Sequence, residues 1–253
     1  MRDYSISGSI VVYNKPDDAY KTVESVKTFV GDMDLYIIDN DSRENIGRML
    51  EKHFDANYIN MGYNAGFGKA HNRVLDKINS KYHFVINPDI LINRDTVNNL
   101  CCFMDENPDV SIACPKVLHP DGSIQYIAKK KPGLLSLVSR RIHFKFLKKI
   151  EDDYLMKDAD QDQRFPVDFC TGCFFVIRTD VMKKIGGFDE DYFLYFEDAD
   201  ITMKAKQHGR AYYAPSASVV HFWHRETASS KRQFLIQLKS MFIYFKKWGF
   251  KLK

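Results

Sequence analysis

Carboxylates at the ends of hydrophobic runs are the side chains of this sequence best suited to chemistry. Asp39 closes the run Leu35–Ile38, Asp89 follows Tyr82–Ile86 across Asn87-Pro88, and Glu197, Asp198 and Asp200 open a polar helix. A carboxylate at a strand end can accept hydrogen bonds from a base or ribose, or bind a hard divalent cation through oxygen. Taken singly, each is also an ordinary turn former or helix cap. Their company favours chemistry, because the Gly/Asn-rich run Asn60–Gly68 lies between them. His221 follows Ser218-Val219-Val220 and comes 24 residues after Glu197; it is a candidate metal ligand or a packed imidazole, with His224 a poorer substitute. Cys170 and Cys173 have the spacing of a redox pair or half a zinc site, but no second pair or suitably spaced His accompanies them.

Such residues need a scaffold that gathers strand ends. The first half alternates β-rich runs at Ile6–Tyr13, Leu35–Ile38, Asn57–Ile59 and Tyr82–Ile86 with helix-like segments near Ala19–Phe29, Asn45–His53 and Lys69–Ile78. That alternation predicts βαβ units and a mostly parallel sheet. In open sheets of this kind the ligand lies beyond the carboxyl ends of the strands, so Asp39–Ser42, Asn60–Gly68 and Asn87–Asp89 should converge on one crevice. The second half is less regular. Strands are expected at Val110–Cys114, Val117–Ile124, Val167–Cys170 and Phe174–Arg178, with a helix at Asp180–Ile185 stopped by Gly186-Gly187 and another ending at His208-Gly209. A last helix starts near Ser230.

The chain has 253 residues, 45% of them hydrophobic and 28% charged, enough for one large domain with a core and inconsistent with a disordered or fibrous protein. No apolar run reaches the ~18 residues of a membrane span, and Met1–Tyr4 opens directly into a strand-like segment rather than a signal sequence. A cytoplasmic protein is expected. Five cysteines, two of them adjacent at Cys101-Cys102, read as reduced thiols. The net charge of +4 hides a segregation: Lys129–Lys149 and Lys231–Lys253 contain 8 and 7 basic residues and no acid. The remainder holds 22 basic against 33 acidic residues. An anionic partner at those two segments is implied, whether a membrane surface, a lipid diphosphate or a nucleic acid. On the tail, Phe234, Leu238, Met241, Phe242, Phe245 and Trp248 recur at helical spacing among Lys231, Arg232, Lys239, Lys246 and Lys247. Either the helix packs on the domain or it lies on a membrane.

Six motifs stand in an order that resembles the family 2 glycosyltransferases. They are Val11–Asn14, Ile37–Ser42, Asn60–Gly68, Asn87–Asp89, Thr171–Phe174, and Gly187–Glu190 with Tyr195–Asp200, and their wording is similar to the rhamnosyltransferases of bacterial surface polysaccharides. The resemblance implies an inverting enzyme of α/β class with a GT-A, Rossmann-like fold. Its sheet would be mixed, mostly parallel and flanked by helices, with the tail as an amphipathic addition. It also implies a glycosyltransferase domain over residues 1–228, divided into a nucleotide-binding half (1–115) and an acceptor-binding half (116–228), with the helical tail at 229–253. Asp39 matches the carboxylate that holds the donor base, with Tyr13, Asn14, Asn40, Asn64 and Asn87 also on the donor side. Gly66 and Gly68 would let the backbone approach the nucleotide, and Lys69 would add positive charge. Asp89 matches the last acid of the metal-binding DxD motif, where Mg²⁺ or Mn²⁺ bridges the diphosphate, and His221 matches a metal-binding His. Asn87 replaces the first acid of that motif and removes one charge from the site. Glu197-Asp198 matches the catalytic-base motif, with Asp198 favoured. Asp168, Thr171, Gly172 and Cys173 fall on the acceptor side.

The implied reaction takes L-rhamnose from dTDP-rhamnose to a glycan or lipid-diphosphate-linked glycan, with a UDP-hexose or UDP-galactofuranose as the alternative donor. An enzyme of that kind would work in the cytoplasm, on the inner face of the membrane. Two other classes compete. A nucleotidyltransferase should carry a Gly-rich basic loop after its first strand, and Tyr13-Asn14-Lys15-Pro16 is not one. A non-catalytic nucleic-acid binder suits the basic segments but leaves the strand-end carboxylates unexplained.

Overall fold

A computed structural model describes residues 4–43, 46–139, 147–222, 231–250 and 252. Strand β1 (Ile6–Val12) passes through Asn14 and Lys15, both left-handed at φ 58° and 59°, into α1 (Pro16–Phe29). Pro16 starts that helix where its missing N–H is no loss, Asp17 and Asp18 face the positive end of its dipole, and Ala19, Val23 and Val26 form its buried stripe. Next come β2 (Asp34–Asp39), α2 (Ile46–Phe54), β3 (Asn57–Asn60), α3 (Phe67–His71) and β4 (Tyr82–Ile86). The helix expected over Lys69–Ile78 is a single turn that gives way to a 3₁₀ turn at Asn72–Val74. Then follow β5 (Ile90–Ile92), α4 (Thr96–Glu106), β6 (Val110–Leu118), β7 (Ile124–Gln125), β8 (Ala128–Lys129), α5 (Leu134–Ser139) and α6 (Lys148–Tyr154). The chain continues through β9 (Phe165–Pro166), β10 (Phe169–Cys170), β11 (Phe174–Arg178), α7 (Thr179–Lys184), α8 (Glu197–Ala205), β12 (Arg210–His221) and α9 (Lys231–Trp248).

The main sheet has the order β3-β2-β1-β4-β11-β6-β12-β5, with β7 added to β6 and β9 to β12; β8 and β10 form a separate pair. β3, β2, β1 and β4 are parallel, β11 is antiparallel to both β4 and β6, and β12 runs parallel to β6. The long strands other than β11 therefore send their carboxyl ends to one edge. β11 runs the other way and begins there. β1 and β4 are buried along their whole length, as strands covered on both faces must be.

Pro115 does not separate two strands, as the sequence suggested, because β6 runs straight through it. The break lies in the partner, where β12 slips register between Ala214 and Ser218, and a bulge is where a strand accommodates a proline. Of the expected Val167–Cys170 strand only Phe169–Cys170 forms β10, and β9 precedes the expected range. A second, smaller core gathers Phe169, Tyr192, Phe196, Ala199 and Tyr244, with Met241, Phe245 and Trp248 packed against it. Among the described residues no helix is long and apolar enough to cross a membrane.

Candidate active site

At the end of β2, Asp39 is buried. Its Oδ1 accepts from the Ser42 amide (2.8 Å), and its Oδ2 from the Gly47 amide and the Tyr58 hydroxyl (both 3.4 Å). It thus shapes the turn into α2 at the point where a donor base was expected to meet it. Asn40, expected on the donor side, holds the Gly/Asn loop. Its Nδ2 donates to Asn64 Oδ1 (3.0 Å) and the Gly66 carbonyl (3.1 Å), and its Oδ1 accepts from the Ala65 amide (2.8 Å), so the side chain is used up in holding the Gly/Asn loop. Asn64 Oδ1 also accepts from the Gly66 amide (3.0 Å). Tyr13 is half exposed at the mouth, and Asn14 is tied to the same region by its amide on Ser42 Oγ (3.0 Å).

The glycines are required by the packing of the protein itself. Gly66 has φ 84°, and a Cβ there would collide with the Phe193 carbonyl; a Cβ on Gly68 would lie 2.7 Å from Cβ of Phe188. What approaches these backbones is the 188–193 segment of the protein itself. Lys69 is exposed, with its charge met by Glu190 at 3.2 Å.

Beyond β4, the Asn87 amide donates to the Cys173 carbonyl (2.8 Å), which ties the Asn-Pro-Asp loop to the start of β11. The Oδ1 of Asp89 is buried, accepts no hydrogen bond, and lies 3.3 Å from Nε2 of His221 at the end of β12. The other ring nitrogen of His221 is 2.9 Å from Gln125 Oε1, while Gln125 Nε2 donates to the His221 carbonyl (2.8 Å). Nδ1 is then the donor, and Nε2 of a neutral ring would turn a lone pair toward a carboxylate. A cation shared by the ring nitrogen and the carboxylate would suit that contact. A divalent cation takes carboxylate oxygen and imidazole nitrogen as ligands, so a carboxylate oxygen without a hydrogen bond beside a ring nitrogen would be able to hold Mg²⁺ or Mn²⁺. Among the described residues no group of three or more His, Cys, Asp or Glu side chains is gathered for a metal, so such an ion would rest on this pair. His224 lies outside the described residues. Gln125, which orients the histidine, was not singled out from sequence, where it is one polar residue after a His-Pro-Asp-Gly turn.

Glu197 and Asp198 occupy the first turn of α8, entered through Tyr195 and Phe196 at φ 70° and 67°, a conformation such residues rarely adopt. Asp198 is partly exposed; its Oδ2 accepts from the Gly172 amide and its Oδ1 from the Ala199 amide, both at 2.9 Å. Glu197 is buried and its Oε2 has no partner. Burial, and then the charge of Asp198, push Glu197 well above the ordinary glutamate range. Burial raises Asp198 too, but the Lys129 ammonium and its two amide donors draw it back. Both acids are pushed up, Glu197 the further, and the two amide donors of Asp198 against the unpartnered Oε2 of Glu197 favour Asp198 as the ionised member of the pair.

This assignment has a stability consequence. The folded state holds the Glu197 proton more tightly than the unfolded chain does, so stability declines as pH rises from the ordinary value near 4.5 through the raised folded one. Glu197→Gln removes that titration. By thermal shift in chelator, the variant should melt close to wild type at about pH 4 and progressively above it as pH rises from there. Each kcal/mol corresponds to roughly 2–4 °C at this size. A gap that closes with rising pH would place the proton elsewhere.

On the acceptor side, Thr171 Oγ1 donates to the Ile127 carbonyl (2.7 Å), and the Cys173 thiol is buried and pushed up by burial. Cys170 is buried as well, and both are free thiols. Asp168 pairs with Lys206 and accepts from the Lys131 amide (3.1 Å). Of the basic residues over Lys129–Lys149, the first three have partners within the protein, and Lys148 and Lys149 are exposed. Lys129 is buried with its ammonium 4.6 Å from the centre of the Phe169 ring, Lys130 pairs with Asp153, and Lys131 donates to the Trp248 carbonyl (2.7 Å). Arg140, Arg141 and Lys145 lie outside the described residues. Lys129 is a second site residue that sequence inspection missed, since a run of three lysines reads as solvated.

A mixed, mostly parallel sheet with helices on both faces and this acidic edge is the GT-A glycosyltransferase architecture. The crystal structure of GalNAc-T7 with UDP, GalNAc and Mn²⁺ superposes with a TM-score of 0.65 at 14% identity, over 88% of this chain and 44% of that one. Within that architecture the chain belongs to glycosyl transferase family 2, whose sequence model matches residues 9–186. It is 25% identical over 258 residues to the rhamnosyltransferase WbbL of Escherichia coli K12, covering 93% of this chain and 90% of that protein. It is 24% identical over 202 residues to the N-acetylglucosaminyl-diphospho-decaprenol L-rhamnosyltransferase of Mycobacterium tuberculosis. There the match covers 74% of this chain and 66% of the relative's length. Family membership sets aside the nucleotidyltransferase and nucleic-acid readings.

Proposed function

We propose that the protein moves L-rhamnose, with inversion, from dTDP-rhamnose to a hydroxyl of a glycan or lipid-diphosphate-linked glycan in cell-surface polysaccharide synthesis. The likeness to two rhamnosyltransferases supports the sugar. The observation that carries the chemistry is the edge shared by two acidic sites. The backbone of Gly172-Cys173 holds both the Asn-Pro-Asp loop, through the Cys173 carbonyl, and Asp198, through the Gly172 amide.

In this reading Tyr13, Asn14 and Asp39 border the nucleoside, the Asn64–Gly68 loop and Lys69 border the diphosphate, and Asp89 and His221 hold the cation. Mg²⁺ or Mn²⁺ bound there supplies the positive charge that stabilises the departing diphosphate. Gln125 fixes the ring of His221 so that Nε2 faces Asp89. Opposite the leaving group, Asp198 takes the proton of the acceptor hydroxyl as the new bond forms, aimed by the amides of Gly172 and Ala199. Glu197 stays neutral, which keeps the pair at a single negative charge. The test is a donor panel with an N-acetylglucosaminyl-diphospho-lipid acceptor, read as nucleoside diphosphate release. Preferential turnover of dTDP-rhamnose is expected, and preference for a UDP-hexose would reject the sugar while sparing the reaction type.

The tail fits work at a membrane, though with a different face from the one read in the sequence. Met241, Phe245 and Trp248 turn inward with Tyr244, whereas Leu235, Leu238 and Phe242 are exposed among Lys231, Arg232, Lys239 and Lys246. Lys247 is not part of this face, because it is paired with Asp189 and Asp200. At about 1 kcal/mol per basic residue near anionic lipid, four such charges and the apolar stripe give reversible, salt-sensitive association. The protein should pellet with anionic vesicles at low salt, and Lys239→Gln/Lys246→Gln/Phe242→Ser should stay in solution. Equal binding by that variant would reduce the helix to a packing element.

A further inference from the structure

Asp200 was grouped in the sequence with the acids that could do chemistry, but its carboxylate is fully buried and turned away from Asp198. Its Oδ1 accepts from Nε1 of Trp248 (2.7 Å) and its Oδ2 from Nζ of Lys247 (3.0 Å), with the Tyr192 hydroxyl 3.5 Å away. Both strong partners come from the last turn of α9, 47 and 48 residues downstream. The same helix grips the other side of the turn. Lys247 also reaches Asp189 Oδ2 (2.7 Å), Ser240 Oγ donates to the Leu194 carbonyl (2.8 Å), and the fully buried Tyr244 ring packs 5.5 Å from that of Phe196. Between these attachments lie Tyr195 and Phe196, the left-handed pair that delivers Glu197 and Asp198 into α8.

We infer that Lys247 and Trp248 are positioning residues for the proposed base, with Asp200 the anchor through which they act. Two consecutive residues at positive φ are unfavourable, and such a conformation persists only where its surroundings over-determine it. Here the surroundings are α9. Asp200 sits two residues after Asp198 on the same helical turn, and its amide donates to the Phe196 carbonyl (2.8 Å), so a load on its carboxylate is a load on that turn. The segment also reaches the donor side, since the Phe193 carbonyl accepts from the Phe67 amide (3.1 Å) next to Gly66. The tail helix is therefore a working part of the acceptor side of the site, and the apolar–basic face it turns outward lies on the element that holds the base. A buried carboxylate with an indole N–H and a lysine is also a stability device, so the experiment must separate support of the fold from support of the base.

This inference rests on the proposed glycosyl transfer for its kinetic part only. In the full-length protein, Trp248→Phe keeps the ring and removes one donor, Lys247→Gln removes the cation, and Lys247→Arg restores it. With the donor of highest turnover in the panel and the N-acetylglucosaminyl-diphospho-lipid acceptor, Trp248→Phe and Lys247→Gln should lower kcat about 10- to 100-fold, the size expected for misplaced reacting groups. The Kd for dTDP by calorimetry should be unchanged, and Lys247→Arg should recover most of the rate. Hydrogen exchange should quicken at the amides of residues 194–200 in both weakened variants while β1 and β4 stay protected. Unchanged exchange at 194–200 would overturn the inference whether or not the chain turns over any donor. So would wild-type kcat with a merely lowered Tm, or a matching loss of kcat and dTDP binding. Wild-type protein that releases no nucleoside diphosphate from any donor would instead defeat the proposed function, with the exchange data still deciding the role of α9.

Discussion

Asp198→Asn is expected to lower kcat by about 10² to 10⁴ while leaving the donor Kd within a few-fold of wild type, because a general base acts on the acceptor and not on the nucleotide. The geometry sharpens what the sequence left open between two adjacent acids. Burial raises Asp198, but two amide donors and the Lys129 ammonium oppose that rise, and it is the more exposed of the two. Glu197 has neither advantage, and its buried Oε2 finds no partner. A carboxyl held neutral is mimicked well by its amide, so Glu197→Gln should keep most of the rate. Asparagine at 198 has a further effect, since both oxygens of Asp198 accept backbone N–H groups and the new amide must turn its NH₂ toward one of them. Melting temperature and dTDP affinity, measured on the same preparation, separate that local clash from the loss of a base. If Glu197→Gln abolished turnover and Asp198→Asn did not, the roles would exchange; if neither mattered, the displacement mechanism would be wrong.

The strands and their edge were legible because they are written in local pattern. Runs such as Ile6–Val12 and Tyr82–Ile86 alternate with helical segments, and polar residues cluster where each run stops. What escaped was set by tertiary neighbours. Gly66 and Gly68 announce that something comes close, and only the fold shows that it is Phe193 and Phe188. Asn40 and Asp168 have the right chemistry for ligands, but partners distant in sequence, Asn64 and Lys206, take up those groups. Gln125, 96 residues from His221, has no signal of its own, since its importance comes from which imidazole nitrogen it meets. The tail shows the limit most clearly. Helical periodicity revealed an amphipathic segment, yet the helix has two apolar faces, and the packed one is centred on Tyr244, a residue outside the stripe read from spacing.

Removal of the divalent cation should stop turnover, and Asp89→Ala should do the same by a route that can be observed without turnover. With Asn87 in place of an acid, Asp89 is the sole carboxylate of the Asn-Pro-Asp loop, and it faces His221 at 3.3 Å with a buried oxygen that accepts no hydrogen bond. If the proposed cation rests on Asp89 and His221, loss of that group would remove one of its two protein ligands and the counter-charge of the diphosphate, an electrostatic loss of the kind worth about 10²–10³ in rate. Chelator should abolish nucleoside diphosphate release by wild type, and added Mg²⁺ or Mn²⁺ should restore it. The same ions should raise the melting temperature of wild type and not of Asp89→Ala, since a ligand stabilises only the fold that binds it. Asp89→Asn refines the result, because it keeps an oxygen ligand but loses the charge. Retained ion-induced stabilisation with impaired turnover would show that charge, more than coordination, is what the reaction needs. Full activity of wild type in excess chelator would refute the metal outright. Lys69 and the amide donors of the loop would then be left as the partners of the diphosphate.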